Sequence, residues 1–357
     1  MARILVGMSG GIDSSVAAYL LKKQGHDVVG ITMRVFKDDG KYNPTSDKNS
    51  CFSANKEEDI KKTAQICSQL GIEHKILDIS DMYEAVVLRN FRDEYLNGRT
   101  PNPCVWCNQK IKFGAMVDAA RNMGIGFDCF ATGHYARISK NGLRYSLMQA
   151  VDKTKDQSYF LYRLSQKQLA CTMFPLGEMT KAEVRKIDIE LGFHEPDQTE
   201  SQDFYSGRYT DLLDVQPKKG NIVNTDGVVL GTHNGFWNYT IGQRKGLGIA
   251  DKMPLYVVAL NPQKNEVVVG YEDRVNNSCV TASNIVWGAI EGLDSEIEVT
   301  AKIRSTGIPV SGVLSVDSQD RLCLKFNASV KAATNGQSLV VYKDENVLCG
   351  GIIDSVH

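Results

Sequence analysis

The sequence predicts an α/β domain with a parallel sheet, followed by two small β-rich domains. In the first half of the chain, apolar strand-like runs alternate with helical segments, whereas after about residue 207 short β-rich runs follow one another without helices between them. With 357 residues, the chain is long enough for two or three buried cores. We place one boundary near residue 205 and a softer one near residue 275, which divides the chain into domains at 1–205, 206–274 and 275–357.

The individual elements follow from local pattern. Residues 3–8 are apolar and predict a strand, residues 16–21 predict a helix, and the apolar run at 28–33 predicts a second strand. Asn55 as N-cap and Gly71 as a stop bound a further helix at 56–70. The remaining strand signals lie at 74–79, 128–133, 221–224, 256–260, 266–270, 298–304 and 338–342.

Composition and charge exclude several classes of protein. The chain is 42% hydrophobic and 23% charged, which excludes a disordered or collagen-like chain. The formal net charge of −1 means that any surface for nucleic acid must be a local basic patch. No window reaches the roughly 18–20 apolar residues that a membrane helix needs, and the N-terminal residues lack the pattern of a signal peptide. Nine cysteines spread along the chain indicate reduced thiols, so we expect a cytoplasmic protein.

A glycine-rich loop follows the first predicted strand and leads into the first predicted helix. Its residues are Gly7, Met8, Ser9, Gly10, Gly11, Ile12, Asp13, Ser14 and Ser15. Adjacent glycines let backbone N–H groups turn toward an anion, hydroxyls add donors, and the helix N-terminus adds partial positive charge. The loop lacks the Gly-Lys-Ser/Thr ending of a Walker A motif and is not a GxGxxG fingerprint. It predicts a phosphate site of another type, with a ligand-free glycine turn as the alternative.

This loop resembles the signature of the PP-loop ATP pyrophosphatase superfamily, whose fold is adenine nucleotide alpha hydrolase-like. The resemblance implies that ATP is cleaved between its α- and β-phosphates, that a carbonyl oxygen is adenylated, and that pyrophosphate is released. It also implies that Asp13 helps to hold Mg²⁺ and pyrophosphate, and that the other loop residues surround the phosphates. Met33 matches a position that lies against adenine, and Gly133 matches a position that contacts ATP.

Further stretches resemble the tRNA-specific 2-thiouridylase family (MnmA, also called TrmU), in the same order and nearly end to end. They are Arg99–Phe113, Ala131–Arg137, Lys155–Leu161, Thr240–Gly248 and Gly336–Ser338. The resemblance implies ATP-dependent 2-thiolation of the wobble uridine (U34) of tRNA through an adenylated uridine. Adenylation suits this reaction, because a uracil oxygen leaves badly and a phosphate leaves well.

The resemblance also implies roles for individual residues. Cys107 matches the nucleophile that delivers sulfur, and a cysteine thiolate suits that task. Asn102, Pro103 and Cys104 would border the target base. Residues matching tRNA-contacting positions are His134, Lys155, Asp156, Gln157, Arg304, Ser305 and Gln337. The implied partners are tRNAs for Lys, Glu and Gln, and a sulfur donor such as a cysteine desulfurase, a sulfur-carrier protein or free sulfide.

The sequence departs from the family at the second catalytic cysteine. The family segment that usually reads Ser-x-Asp-Ile-Cys-Phe reads Ser-Gln-Asp-Phe-Tyr-Ser here, so Tyr205 replaces the cysteine. Three routes for sulfur stay open. A persulfide on Cys107 would be resolved by Cys104 or by an external thiol. Alternatively, Cys51, in a polar loop, would join Cys104 and Cys107 in holding a [4Fe-4S] cluster, or the thiols would bind zinc with a fourth ligand.

The other cysteines are interpreted as ordinary small residues, namely Cys67, Cys129, Cys171, Cys279, Cys323 and Cys349. Three competing functions also stay open. They are another PP-loop activity such as lysidine synthesis or amide ligation, other tRNA sulfur chemistry (desulfuration or a different base), and an inactive tRNA-binding paralogue that lost its second cysteine.

Overall fold

A computed structural model describes residues 1–37, 50–52, 56–196, 203–205 and 207–357. The chain forms two compact units. The first unit comprises Met1–Leu88, Pro103–Arg208 and Asp344–Val347, and the second comprises Arg89–Asn102, Tyr209–Lys343 and Leu348–His357. In the described part of the chain, no helix is long and apolar enough to cross a membrane.

The helices lie mostly in the first unit. They are α1 (Ile12–Lys23), α2 (Lys56–Leu70), α3 (Ser80–Tyr83), α4 (Arg89–Leu96), α5 (Pro103–Trp106), α6 (Met116–Asn122), α7 (Ser158–Leu161), α8 (Gln166–Ala170) and α9 (Lys181–Leu191). Two π-helical segments, Glu84–Leu88 and Cys107–Ala115, adjoin α3 and α5. Short 3-10 turns occur at Tyr209–Leu212, Phe236–Asn238 and Glu272–Val275.

The strands divide between the units. Those of the first unit are β1 (Arg3–Gly7), β2 (Asp27–Arg34), β3 (Ser50–Phe52), β4 (Glu73–Asp78), β5 (Cys129–Thr132), β6 (Ala136–Asn141), β7 (Arg144–Gln149), β8 (Thr172–Met173) and β9 (Asp203–Tyr205). Later strands are β10 (Gly220–Asn224), β11 (Val229–His233), β12 (Tyr256–Asn261), β13 (Glu266–Gly270), β14 (Asn276–Trp287), β15 (Ile297–Lys302), β16 (Val310–Val316), β17 (Leu322–Lys331), β18 (Ser338–Lys343) and β19 (Asn346–Val356).

A parallel sheet forms the centre of the first unit, in the order β4-β2-β1-β5-β8 among the described strands. The central strand β1 pairs with β2 on one side and β5 on the other. Its residues Ile4, Leu5 and Val6 are all fully buried, as expected for a parallel strand covered on both faces. Because β2 and β5 lie on opposite sides of β1, the carboxyl end of β1 is a topological switch point, which is where ligands bind in open α/β sheets.

Local signals explain how the helices around this sheet begin and end. α2 runs from Lys56 to Leu70 and ends at Gly71, whose φ of 59° is left-handed. The predicted N-cap Asn55 lies outside the described residues. At α9, Thr180 and Glu183 form a capping box, and Gly192 ends the helix with φ 64°. Both helices therefore end at a left-handed glycine, and α9 begins at a side-chain cap.

The second unit contains two β structures, each with its own core. A four-stranded sheet has the order β11-β10-β13-β12, and its core includes Ile222, Val257 and Val267. From β14 onward, antiparallel strands form a sheet that an additional β14–β19 pairing closes into a barrel. The predicted fold class, a parallel-sheet domain followed by β-rich domains, is confirmed.

Three details differ from the sequence prediction. An antiparallel hairpin, β6–β7, interrupts the α/β alternation of the first unit. The strand expected over 298–304 ends at Lys302, so Arg304 lies in the turn beyond it, where Gly307 donates its N–H to the Arg304 carbonyl. The segment Arg89–Asn102 belongs to the second unit although it lies within the sequence of the first. The first two differences are local turns, whereas contacts distant in sequence decided the third.

Candidate active site

The glycine-rich loop adopts the geometry of an anion site at the start of α1. Gly11 precedes the helix in an extended conformation and makes no side-chain cap, so the first N–H groups of α1 are not covered by a capping side chain. Ser14 and Ser15 each donate a hydroxyl hydrogen bond to the Gly11 carbonyl, both at 3.0 Å. The Ser9 N–H donates to Ser14 Oγ at 3.2 Å. The hydroxyls thus hold the loop in shape.

Gly10 must be glycine for two reasons. Its φ is 81°, and a Cβ there would lie 2.6 Å from Thr63 Oγ1 and 3.1 Å from the Asp59 carbonyl. A buried pair of side chains holds the same residue, since His194 Nε2 lies 2.9 Å from the Gly10 carbonyl and His194 Nδ1 lies 2.7 Å from Asp188. The end of α9 is thereby tied to the phosphate loop.

The carboxylate of Asp13 is fixed by two groups that the sequence did not point to. Lys181 Nζ lies 2.7 Å from Asp13 Oδ1, and the Tyr135 hydroxyl donates to the same oxygen at 2.8 Å. The Lys181 side chain is 13% exposed, so little water competes for this ion pair. Asp13 is therefore held in one orientation at the mouth of the loop.

Gly133 lets β5 approach the start of α1 closely. A Cβ on Gly133 would lie 2.6 Å from the carbonyl carbon of Asp13 and 2.7 Å from the Ser14 nitrogen. Both are backbone atoms, which cannot move aside as a side-chain tip would. The glycine therefore sets the separation between two walls of the site.

A cavity of about 240 Å³ opens at the carboxyl ends of β1, β2 and β5. Of the residues predicted to bind ATP, the cavity is lined by Gly7, Met8, Ser9, Asp13, Ser14, Met33 and Gly133. Gly10, Gly11, Ile12 and Ser15 are not among its described lining residues, and Ile12 and Ser15 are buried beneath the loop. His134 and Gln157, predicted to contact tRNA, also line it, together with Thr32, Asp59, Lys112 and Thr132, which the sequence did not single out.

His134 lines this cavity as a neutral imidazole. Although part of its surface is accessible, protein atoms surround the ring, and the resulting desolvation, with a smaller contribution from the Lys112 charge, holds the pKa of His134 well below its usual value. Its Nδ1 lies 2.7 Å from Thr132 Oγ1. The ring therefore serves as a hydrogen-bonding group near pH 7.

The cysteine pair lies where α5 meets the π-helical segment Cys107–Ala115. Cys104 is half-buried in α5, whereas Cys107 begins the π-helix and is 7% exposed. Neither is among the described residues lining the cavity. Trp106, between them, packs its ring against the Arg163 guanidinium, 4.6 Å from the ring centre.

A side chain of α8 and a backbone carbonyl of α7 hold the π-helix in place. Gln168 Nε2 donates to the carbonyls of Gln109 and Phe113, at 2.9 and 3.0 Å. Asn108 Nδ2 donates to the Phe160 carbonyl at 3.0 Å. Because a π-helix leaves carbonyls poorly aligned, the two Gln168 hydrogen bonds stabilise a geometry that is otherwise rare. Only the tertiary structure shows this clamp.

Tyr205 occupies a buried position instead of a cavity wall. It ends β9 with 1% of its surface exposed and is not among the described cavity residues. β9 pairs in parallel with β3, so Cys51 lies in a short strand and not in the loop that the sequence predicted. The side chain of Cys51 is outside the described part of the structure. Among the described residues, no group of three potential ligands is arranged to hold a metal ion.

The described cysteines away from the pair are free thiols. Burial raises the pKa of Cys67 to about 11 and that of Cys349 to about 12, so both stay protonated near pH 7. Cys279 and Cys323 lie 3.5 Å apart on neighbouring strands, and burial, with the Cys323 contact, raises the pKa of Cys279 to about 11.

The residues predicted to contact tRNA divide between the units. In the first unit, the Asp156 carboxylate accepts hydrogen bonds from the Ala150 and Ser158 N–H groups and from the Ser158 hydroxyl, and Lys155 is half-buried beside it. In the second unit, Arg304 is exposed, with Ser305 next to it. Gln337 donates through Nε2 to the carbonyls of Thr100 and Pro101, both at 3.1 Å. Asn102, also in the second unit, is buried, and Pro103 begins α5.

A phosphate loop lies at the switch point of the parallel sheet, and Gly133 lets β5 approach it closely. These features define the first unit as a PP-loop nucleotide-binding domain. Family models cover almost the whole chain. They are described as tRNA methyl transferase HUP domain over residues 2–205, tRNA methyl transferase PRC-barrel domain over 213–271, and Aminomethyltransferase beta-barrel domain over 277–353.

Curated relatives match over nearly their whole length. The tRNA-specific 2-thiouridylase MnmA of Endomicrobium trichonymphae is 45% identical, over 98% of both chains. The MnmA of Clostridium perfringens is 41% identical over 99% of both chains. A solved 4-thiouridine synthetase–RNA complex with bound ATP shares 14% identity over 60% of this chain and 46% of that one, with a TM-score of 0.36. The chain belongs to the tRNA-specific 2-thiouridylase MnmA family.

Proposed function

We propose that this protein is an ATP-dependent tRNA-uridine 2-sulfurtransferase that replaces O2 of the wobble uridine (U34) with sulfur. The observation that carries the proposal is the cavity at the carboxyl edge of the sheet, lined by the phosphate loop and Gly133, in a chain of the 2-thiouridylase family. The cavity supports nucleotide binding, and the Cys-x-x-Cys pair supports sulfur transfer. ATP and tRNA are the substrates, and the tRNAs for Lys, Glu and Gln are proposed from the family resemblance.

The first step is adenylation of the uridine. The uridine O2 attacks the α-phosphorus of ATP, a new P–O bond forms, and pyrophosphate leaves with the electron pair of the broken bond. The N-terminus of α1 and the Ser9 and Ser14 hydroxyls would bind the leaving pyrophosphate. Neutral His134 and Gln157, at the cavity wall, would position the base.

The carboxylates of the cavity fit a Mg²⁺ ion that arrives with ATP. Asp13 and Asp59 both line the cavity, and Mg²⁺ binds ATP enzymes through one or two carboxylates together with the phosphates. The ion would neutralise charge on the phosphates. Lys181 and Tyr135 keep Asp13 oriented for this role.

Sulfur is then delivered from a persulfide on Cys107. A donor persulfide transfers its outer sulfur to the Cys107 thiolate, and that sulfur attacks C2 of the adenylated uridine, so that AMP leaves with the C–O electron pair. The Cys104 thiolate attacks Cys107 Sγ, the S–S bond breaks, and its electron pair goes to the sulfur on C2. The products are 2-thiouridine and a Cys104–Cys107 disulfide, which an external dithiol reduces. An external thiol attacking in place of Cys104 is the alternative.

The cluster hypothesis is a second candidate for sulfur delivery. Cys104 and Cys107 are three residues apart and described, but the hypothesis needs a third ligand, for which the sequence offers Cys51. A chain purified without oxygen that carries neither iron nor cluster absorbance would exclude it. Zinc content measured on the same sample tests the zinc alternative.

We propose domains at 1–205, 206–274 and 275–357, which the spans of the matching family models support. For the persulfide route the sulfur donor would be a cysteine desulfurase or a sulfur-carrier protein that presents a persulfide. Free sulfide would serve the cluster route, because sulfide cannot form a persulfide on Cys107 without an oxidant. A cytoplasmic location stays a prediction from cysteine usage.

The decisive experiment supplies unmodified wobble-uridine tRNA, Mg-ATP and a persulfide donor under anaerobic conditions, and measures 2-thiouridine by mass spectrometry. A parallel reaction with sulfide in place of the persulfide donor tests the cluster route. Cys107→Ser should abolish product, whereas Cys171→Ser, a half-buried thiol away from the cavity, should leave it unchanged. Cys104→Ser separates the two resolution routes, because it should block turnover only if Cys104 is the resolving thiol.

The competing functions give different results in the same assay. Loss of sulfur from pre-thiolated tRNA would indicate desulfuration. tRNA binding without any ATP-dependent product would indicate an inactive paralogue, and adenylation of another group would indicate a different PP-loop activity.

A further inference from the structure

The cavity walls carry one cation that the proposed function has not used. Lys112 is the only lysine or arginine among the described residues lining the cavity, where Asp13 and Asp59 supply carboxylates. Lys181 neutralises Asp13 but is not among those lining residues. ATP brings several negative charges into this space, and the positive groups that border it in the described part of the chain are the N-terminus of α1 and Lys112.

The π-helix places Lys112 on the same face as the nucleophile. In an α-helix, residues five apart point about 140° away from each other, whereas in a π-helix they lie roughly one turn apart. Lys112 follows Cys107 by five residues within the π-helical segment, and the Met116 N–H bonds to the Ile111 carbonyl in the i+5 pattern. Gln168 holds this geometry through the Gln109 and Phe113 carbonyls.

We propose that Lys112 is a catalytic residue, whose ammonium group binds the phosphate of the adenylated uridine and stabilises the charge that this phosphate gains when AMP leaves. The inference rests on the proposed thiolation and adds a residue to it. When sulfur attacks C2, a C–S bond forms and the C2–O bond breaks, and its electron pair stays on the phosphate oxygen. The phosphate thereby changes from a singly charged ester to AMP with a second negative charge.

A fixed cation favours this step because it interacts more strongly with the departing phosphate than with the ester. Such preorganised groups are worth the most where charge develops in a water-poor site. The location of Lys112 beside neutral His134, whose pKa its charge helps to lower, agrees with a cation directed at the cavity. One helix face would then carry both the nucleophile, Cys107, and the group that assists the leaving phosphate.

Lys112→Met tests the inference, with Lys112→Arg and Lys110→Met beside it. Lys110 lies in the same π-helical segment but is exposed and does not line the cavity, so it is a matched control. The first measurement is the single-turnover rate of 2-thiouridine formation at saturating ATP and persulfide donor. We expect a loss of roughly 100-fold or more in Lys112→Met, a smaller loss in Lys112→Arg, and a rate within about twofold of wild type in Lys110→Met.

Two further measurements do not depend on turnover. Calorimetric titration with AMP should show a loss of affinity of about tenfold or more in Lys112→Met, because a charge-assisted hydrogen bond to phosphate is lost. NMR titration should show a higher pKa for His134 in the same variant, because the neighbouring positive charge is gone. If Lys112→Met does not fold, Lys112→Gln, which also removes the charge, replaces it in all three measurements.

The outcomes separate this inference from the proposed function. Wild-type turnover with an equally active Lys112→Met would overturn the role of Lys112 and leave the thiolation standing. A wild type that makes no 2-thiouridine would refute the thiolation. In that case unchanged AMP affinity in Lys112→Met also overturns the phosphate contact, whereas weakened affinity supports it.

Discussion

Replacing Gly133 with alanine should damage the ATP site through a single methyl group. The new Cβ would lie 2.6 Å from the Asp13 carbonyl carbon and 2.7 Å from the Ser14 nitrogen, whereas ordinary contact begins at 3.4 Å. β5 and the start of α1 must therefore separate by several tenths of an ångström. Overpacking of this kind costs about 1–3 kcal/mol, and a shift approaching 1 Å in a catalytic group can slow a reaction by about 100-fold.

The chain offers a matched control for this substitution. Gly126 precedes the same strand, has no atom within 4 Å of its would-be Cβ, and does not have a left-handed φ. Gly126→Ala should therefore leave both the free energy of unfolding and the adenylation rate unchanged. Urea unfolding gives the stability difference, and tRNA-dependent release of pyrophosphate from ATP gives the adenylation rate. If Gly133→Ala matches Gly126→Ala in both measurements, the close approach of β5 to α1 is not what the site requires.

Three further predictions follow from individual contacts. Lys181→Met should slow pyrophosphate release by about tenfold or more, because the Asp13 carboxylate loses a charged partner. Lys186→Met, which breaks an exposed ion pair on the same helix, should leave the rate unchanged. Equal rates in the two variants would contradict this prediction. Gln168→Leu should lower the free energy of unfolding in urea by about 1–3 kcal/mol, because two carbonyls of the π-helix lose their donor, and an unchanged stability would refute the clamp. The pKa of His134 is lower in the folded than in the unfolded chain, so the unfolded chain takes up this proton first as the pH falls. The free energy of unfolding should therefore decrease below about pH 6.5, by at most about 1.4 kcal/mol per pH unit. His134→Gln should remove this contribution to the pH dependence of stability, and an unchanged pH dependence would contradict the prediction.

Local pattern was enough to predict the elements that build the site. The apolar run of β1, the glycines and hydroxyls before α1 and the second apolar run predicted a strand–loop–helix–strand unit, and the structure contains it. Seven of the residues that the resemblance marked for ATP line the cavity. Such features are predictable because strand and helix periodicity, left-handed glycines and helix N-termini depend on residues close in sequence.

The partners of these residues could not be read from the sequence. Lys181 reaches Asp13 across 168 positions, and His194 reaches Gly10 across 184. Nothing in the local sequence of Lys112 or Gln168 distinguishes them from solvated polar residues on a helix. The π-helix around Cys107 was also not predicted, because it is held by a carbonyl of α7 and a side-chain donor of α8, both more than 50 positions away.

The sequence alone therefore determined the fold class, the phosphate loop, the cysteine pair and the replacement of the second family cysteine by Tyr205. The tertiary structure decided which charges neutralise the loop carboxylate, which cation lines the cavity, and that Tyr205 is buried away from the cavity walls. The physical reason is that a loop or helix start is specified by neighbouring residues, whereas an ion pair or a cavity wall needs groups from several elements. Those groups meet only when the sheet has formed and its buried surfaces have packed.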